Sequence, residues 1–267
     1  FSKHVEVKGH NEIAQMAQML NYMCDELELL EEKRRKFVSD ASHELKTPMA
    51  GIKLICDSLV AAENPDPAMV KEFLGDMSDE VDRLTRIVER LLVLTKLDAG
   101  GNSLKLEEVD IKMLISQVVK KLTPIANAKD IVIYVDNHQA EFSPILLDYD
   151  KMYEAIYNIA DNAIKYSPEG GFVHIDITAD NDYLTIKIED NGPGIPEDER
   201  DRIFERFYRL DDSRARDTGG TGLGLAITKE AVLMHNGTID VANVSDIGSV
   251  FTIRLPYKIT IGGQNEK

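Results

Sequence analysis

The stretch SHELKTPMAG, residues 42–51, carries a proline where the flanking pattern asks for an unbroken helix. Proline inside a helix removes one backbone hydrogen bond and costs about 3 kcal/mol. Pro48 has no N–H for the carbonyl of residue 44, so the expected break falls at Glu44, beside His43. Upstream, Ile13, Met16, Leu20, Met23, Leu27 and Leu30 recur in steps of three and four, the seam of a coiled coil. After EEKRRK at 31–36 a second apolar stripe follows: Val38, Ala41, Leu45, Ile52, Cys56 and Leu59. A single helix over 12–61 would be about 75 Å long at 1.5 Å per residue. On it His43 lies roughly 200° from both Ala41 and Leu45 and so points away from the stripe.

Downstream, NPDP at 64–67 is a turn with a proline suited to open a helix. Val70, Phe73, Met77, Val81, Leu84, Val88, Leu91 and Thr95 then hold helical spacing as far as Gly100 and Gly101. Two antiparallel helices with so wide an apolar stripe are expected to bury it by dimerisation into a four-helix bundle.

After Gly101 the pattern changes to short strands and helices. Strands are expected over 104–107, 131–135, 145–147, 173–178, 183–188, 238–241 and 250–255, and helices over 111–127, 150–166 and 223–235. HIDIT and LTIKI, joined by ADNDY, predict a β-hairpin. The fold class is therefore multidomain: an all-α helical hairpin forming a dimeric four-helix bundle, then an α+β two-layer sandwich.

The 267 residues suffice for two compact units, and the net charge of −16 excludes nonspecific nucleic-acid binding, which needs a basic footprint. Phosphate binding would have to be local, through backbone amides or a metal. Cys24 and Cys56 form no disulfide framework and no metal-ligand spacing. No apolar run reaches the 18 or so residues of a membrane span. The chain begins with Phe1, and the expectation is a longer parent that meets a membrane only through an upstream segment.

Two glycine boxes mark the second half, DNGPGIP at 190–196 and GGTGLGLAI at 219–227. In the second, Gly220, Gly222 and Gly224 would let backbone amides at a helix N-terminus approach a phosphate. Between the boxes, IPEDERDRIFERFYRLDDSRARDTGG is rich in both charges and has two readings, a mobile lid or a solvated loop. NIADNAIKYS at 158–167 puts Asn158, Asn162, Lys165 and Tyr166 on neighbouring turns of one helix, where asparagine is unfavourable unless its side chain is used.

SHELKTP, NIADNAIKY, DNGPGIP, IFERFYR and GGTGLGLAI stand in that order, and together they resemble the five sequence boxes of the sensor histidine kinases of two-component systems. The resemblance covers roughly 37–255, and NEIAQMAQMLNYM resembles the end of a HAMP signalling module. It implies four segments: a HAMP end and coiled coil over 1–31, a dimerisation and phosphoacceptor domain over 32–101, an ATP-binding domain over 102–257 and a loose tail over 258–267. By the same resemblance Asp190 hydrogen-bonds the adenine amino group, Asn162 ligates Mg2+, Lys165 approaches the phosphates and Tyr166 packs near the base. Gly192, Gly194, Gly220, Thr221, Gly222, Leu223 and Gly224 complete the ATP-binding set. Gyrase-type ATPases of similar fold carry a water-activating glutamate where this chain has Asn158, and an amide cannot act as a general base. The γ-phosphoryl group would then wait for another acceptor.

His43 is the candidate acceptor. Neutral imidazole has one lone-pair nitrogen, and an ordinary pKa near ~6.5 keeps that form present at neutral pH. Glu44 can accept a hydrogen bond from Nδ1–H and leave Nε2 nucleophilic, or it can be a surface residue supporting the helix. Thr47, one turn on, has two readings: a residue that orients water for removing phosphate from the partner, as the resemblance implies, or a plain helix residue. Ala50 and Leu54 continue the His43 face, as a docking surface for the regulator or as bundle packing. Arg209 and Arg214 are lid candidates for γ-phosphate contact, or solvated charges. Pro48 is a candidate hinge. The remaining histidines, His4, His10, His138, His174 and His235, are expected to be structural or surface residues.

The resemblance thus implies the cytoplasmic portion of a bacterial membrane sensor, a homodimer with ATP and Mg2+ as cofactors. It would autophosphorylate and pass phosphate to an aspartate of a cognate response regulator, with phosphatase activity toward that regulator. Two rivals stand beside it: a nucleotide-binding scaffold without catalysis, and a serine kinase of the anti-sigma type, which does not account for SHELKTP.

Overall fold

The computed structural model describes residue 5 and residues 12–62, 65–98, 104–138, 142–210, 221–244 and 248–257. Arg214, Gly220, His4, His10, the tail after Tyr257 and most of the segment before Glu12 lie outside the described residues. The chain forms two compact units, Phe1–Val88 and Glu89–Lys267.

The first unit holds helix α1, Glu12–Ala61, and most of helix α2, Pro67–Asp98. Asp66 caps α2, its side chain accepting from the Ala68 N–H at 3.1 Å, and Pro67 takes the first helical position, where its missing donor costs nothing. Arg83 of α2 lies 3.8 Å from Glu44 of α1. The two residues are nearly equidistant from the turn, as an antiparallel hairpin requires.

The expected break at Glu44 does not occur. Helix α1 runs through Pro48 without interruption, and Pro48 is buried, one of only two buried residues described in that helix. A single lost bond is tolerable in a 50-residue helix because the ring is packed and the neighbouring bonds persist. Val38, expected to face inward, is 57% exposed, while Phe37 and Asp40 on either side are half-buried. The heptad seam is open: Ile13 and Met16 are each 73% exposed, and Leu20, Met23, Leu27 and Leu30 are exposed as well.

In the second unit, strand β1 (Leu106–Val109) pairs antiparallel with β3 (Ile145–Asp148). Strands β2 (Val132–Asn137), β4 (Phe172–Ala179), β5 (Tyr183–Asp190), β6 (Thr238–Asn243) and β7 (Ser249–Pro256) form a sheet of order β2-β4-β5-β7-β6. Among the described residues, only β2 runs parallel to its neighbour. Alternation decides which face is covered: Val173, Ile175, Ile177, Leu184, Ile186, Ile188, Phe251, Ile253 and Leu255 are buried, against helices α3 (Ile111–Ala128), α4 (Tyr149–Tyr166) and α5 (Gly224–Met234). The β4–β5 hairpin is the one read from HIDIT and LTIKI.

Helix ends are fixed by side chains. Asp110 caps α3 through the Lys112 and Met113 N–H groups, and Asp148 caps α4 through Lys151. Lys129 reaches the other end of α4, its Nζ donating to the carbonyls of Ile164 (3.1 Å), Lys165 (2.7 Å) and Ser167 (2.5 Å). A cation there satisfies orphan acceptors and complements the helix dipole. His235, fully buried, ties α5 to β3: Nε2 accepts from the Asp148 N–H at 2.9 Å while Nδ1 lies 2.7 Å from the Ala231 carbonyl. His174 lies within β4, with Nε2 2.9 Å from Asp136.

Candidate active site

Helix α4 carries the asparagine motif. Its Met152, Ala155, Ile156, Ile159, Ala163 and Ile164 are buried in the core, as is Asn158, while Asn162 and Lys165 are half-buried. Asn158 is 7% exposed, and its Nδ2 is buried without a hydrogen-bond partner. A Cβ built on Gly224, the first residue of α5, would stand 3.5 Å from the Asn158 amide, so the helix start within the second glycine box lies directly over that asparagine. Thr228 fixes α5 on α4 by donating to the Ala155 carbonyl at 3.3 Å.

The first glycine box is built around Asp190, at the end of β5. Asp190 is 5% exposed; its Oδ1 accepts from the Gly192 N–H at 2.8 Å and its Oδ2 from the Ser249 hydroxyl. Burial pushes the Asp190 carboxyl up, against those hydrogen bonds, which favour the charged form. A side chain at Gly192 would strike Asp190 Oδ1 and the Tyr166 carbonyl, so this glycine is required for the close approach of the loop to α4. Gly194, at φ +75°, leads into Ile195, whose N–H donates to Asn243 Oδ1 at 2.9 Å.

The segment between the boxes is not all loop. Two turns of 3-10 helix, Glu197–Glu199 and Arg202–Phe204, bury Ile203 and Phe204, and Phe204 packs edge-to-face on Phe251 at 6.3 Å. The pair opens the IFERFYR box, but its burial gives no signal in the sequence because the two apolar residues are adjacent and show no period. Beyond it Phe207 sits at φ +62°, a strained position for an aromatic residue, and its N–H donates to the Gly222 carbonyl at 2.9 Å. A Cβ at Gly222, itself at φ +66°, would meet the Phe207 backbone at 2.7 Å. The root of the charged segment and the second glycine box are thereby clipped together.

Charge collects at the same place. Lys165 is half-buried, and its pKa is lowered to about 8 by desolvation and then by the positive charge of Arg209, with Asp161 opposing and Arg90 adding to the effect. Burial raises the Asp161 and Glu154 carboxyls on the same helix. Tyr166 is 52% exposed, with the Lys165 ammonium 5.5 Å from its ring centre. Thr221 and Leu223 are buried.

On α1 of the first unit His43 is exposed, as are Thr47, Ala50 and Leu54. The Thr47 hydroxyl donates to the His43 carbonyl at 3.2 Å. Glu44 does not bond the His43 ring: its Oε2 is buried without a hydrogen-bond partner and faces Arg83, which also pairs with Glu80 at 3.1 Å. The tautomer-fixing contact expected from adjacency is absent because neighbouring helix residues point about 100° apart.

Residues 33–100 match the family model of the His Kinase A (phospho-acceptor) domain, and residues 147–259 match that of the histidine kinase-, DNA gyrase B- and HSP90-like ATPases. The chain belongs to the sensor histidine kinases. It is 36% identical over 249 residues to the sensor histidine kinase WalK of Bacillus subtilis, covering 89% of this chain and 39% of that protein. SenX3, a sensor-like histidine kinase of Mycolicibacterium smegmatis, is 37% identical over 227 residues, 85% of this chain and 58% of that one. Among solved structures, the histidine kinase AdeS of Acinetobacter baumannii aligns with a TM-score of 0.65 at 27% identity, over 80% of this chain and 98% of that one. ThkA, solved in complex with the response regulator protein TrrA, shares the fold with a TM-score of 0.67 at 21% identity, over 87% of this chain and 66% of that one. The chain therefore spans 39% of the length of WalK and 58% of the length of SenX3.

Several residues that shape this histidine kinase site carry no motif. Lys129, Ser249 and Asn243 act from outside the boxes on α4 and the first glycine loop. Arg90, within a helix read only for its apolar stripe, donates from Nη1 to the Thr221 hydroxyl at 2.7 Å. A lone arginine on a helix gives no spacing signal, and only the tertiary contact exposes it.

Proposed function

We propose that this chain is the kinase portion of a homodimeric sensor histidine kinase that transfers the γ-phosphoryl group of ATP to His43 and then to an aspartate of a response regulator. The observation that carries the reading is the pairing of an exposed histidine, in the stretch matching the phospho-acceptor domain, with a nucleotide-type site that has an amide at Asn158 in place of a general base. His43 Nε2 forms the new P–N bond as the bond from γ-phosphorus to the bridging oxygen breaks, and ADP carries away the electron pair. Positioning and charge neutralisation supply most of the catalysis in such transfers.

The residues fit the nucleotide in this reading. Asp190 accepts the adenine amino N–H, Tyr166 flanks the base, and backbone amides of the second glycine box, with Lys165 and Arg209, meet the phosphates. The orphaned Asn158 Nδ2 is a donor suited to an anionic group. Among the described residues no three His, Cys, Asp or Glu side chains gather as a metal cage, so Asn162 is the ligand proposed for Mg2+, with phosphate oxygens and water completing the shell. When bound, Mg2+ neutralises charge on the polyphosphate.

In the first unit Thr47 and the exposed Ala50 and Leu54 are assigned to the regulator-facing surface, with Thr47 serving phosphate removal. Pro48 is assigned as the place where signal from the heptad coil alters α1. The open seam from Ile13 to Leu30 supports a second copy of the chain as its cover. Membrane attachment, through a segment outside this chain, and a cytoplasmic location belong to the same proposal, as do the four segment boundaries given above.

Incubation with γ-labelled ATP tests the reading. The expected outcome is an acid-labile, alkali-stable label that His43→Ala abolishes and that moves to a purified regulator. Nucleotide binding with no label would assign the chain to a scaffold, and an acid-stable label on a partner serine would assign it to another kinase class.

A further inference from the structure

The second unit begins at Glu89, so Arg90 on the last turns of α2 belongs to the same compact unit as the glycine boxes. Its Nη1 donates to Thr221 Oγ1 at 2.7 Å. Thr221 is 3% exposed and stands next to Gly222, whose carbonyl receives the Phe207 N–H. The charge of Arg90 is also felt at Glu154, Tyr157, Asp161 and Lys165. Those four positions are spaced three, four and four apart, one face of α4, and they interleave with Asn158 and Asn162. The guanidinium therefore sits where the asparagine helix and the second glycine box face each other.

That position is unusual for its charge. In a chain with a net charge of −16, Arg90, which bonds Thr221, and Arg209 both act on Lys165, whose charged form is destabilised by burial and by both arginines. The opposing carboxyls, Asp161 and Glu154, are themselves desolvated. A neutral hydroxyl engages only one of the five N–H donors of a guanidinium, and such a fork is suited to phosphate oxygens. A polyanion entering between the boxes would relieve the repulsion among the three cations.

We propose that Arg90 is a phosphate ligand of the bound nucleotide, reaching it from α2 with the Thr221 hydroxyl as its partner when no nucleotide is present. The proposal rests on the ATP reading of the site and adds to it a cation that none of the five sequence boxes contains. A purely structural alternative exists, in which the Arg90–Thr221 bond only holds the glycine loop in place.

The test is calorimetric titration of the 267-residue chain with ATP, ADP and adenosine, each with Mg2+, for wild type, Arg90→Met and Arg90→Lys. As a phosphate ligand, Arg90 predicts that Arg90→Met weakens ATP and ADP binding by about tenfold or more, the loss of one charge-assisted hydrogen bond, and leaves adenosine binding unchanged. Arg90→Lys recovers part of the loss, and the melting temperature of the nucleotide-free protein stays at the wild-type value in both variants. Wild-type ATP affinity in Arg90→Met overturns the proposal while leaving the ATP site intact. Equal loss of adenosine and ATP, or a lowered melting temperature without nucleotide, assigns Arg90 to the structural role and overturns it as well. Failure of the wild-type chain to bind ATP overturns the ATP reading itself, and Arg90 with it.

Discussion

The two units bury their apolar side chains in opposite ways. In the second, every apolar face of β4, β5 and β7 is closed by α3, α4 and α5 of the same chain. In the first, only Ala14 and Pro48 are buried among the described residues of a 50-residue helix, and the seam from Ile13 to Leu30 lies open. A closed core defines its fold by itself, whereas an open seam specifies a helix without specifying what covers it. The difference matches the division of labour proposed here: a self-contained nucleotide site in one unit, and in the other a helix whose exposed surfaces are meant for other chains.

Core substitution gives the largest contrast. Ile156→Ala, at a fully buried position of α4, is expected to cost about 2–5 kcal/mol in denaturant unfolding of the second unit. Leu20→Ala, at a position 51% exposed, is expected to leave that transition unmoved and to shift self-association toward monomer in sedimentation. A seam substitution that unfolds the second unit would erase the distinction between the two regions.

Gly222→Ala tests the clip between the glycine box and Phe207. The residue sits at φ +66° with the Phe207 backbone 2.7 Å from any Cβ, so the variant is expected to lose more than about 1 kcal/mol of stability and to bind ATP more weakly. Unchanged melting and unchanged affinity would mean that the clip is incidental.

A smaller effect concerns pH. The folded-state pKa of Lys165, lowered to about 8, means that the ammonium is present below that pH and lost above it, while in the unfolded chain it persists to about 10.4. At neutral pH the nucleotide-free fold therefore bears a disfavoured charge, which phosphate would offset. ATP affinity is expected to decline as pH rises from 7 through 9, and Lys165→Met should flatten the profile. An unaltered decline in Lys165→Met would move the titration to another group.

Much of the second unit was legible in the sequence because strand alternation, Asp caps and glycine at helix starts are local signals. The seven strands and three helices fall within two or so residues of the expected bounds, and Asp148 and Asp110 show why: each precedes a helix and bonds its first turn. What sequence alone could not show was decided across distance. The backbone cost of Pro48 is local and reads as a break, whereas the packing that buries its ring is tertiary. Adjacency in sequence is not adjacency on a helix: Glu44 faces Arg83 of α2 and not the His43 ring. The burial of Ile203 and Phe204, at the start of IFERFYR, has no periodic signal, and Arg90 and Lys129 each depend on a contact at long sequence separation, to Thr221 and to the end of α4.

In the proposed reaction the phosphoryl group waits for His43 because Asn158 cannot activate water. Measurement of ATP binding, protein labelling and released phosphate side by side in wild type and His43→Gln tests it most directly. The account predicts that His43→Gln binds ATP as tightly as wild type, takes no label and releases no phosphate above background. Steady phosphate release by His43→Gln at a rate comparable with wild-type turnover would make the second unit an ATPase in its own right and contradict the account.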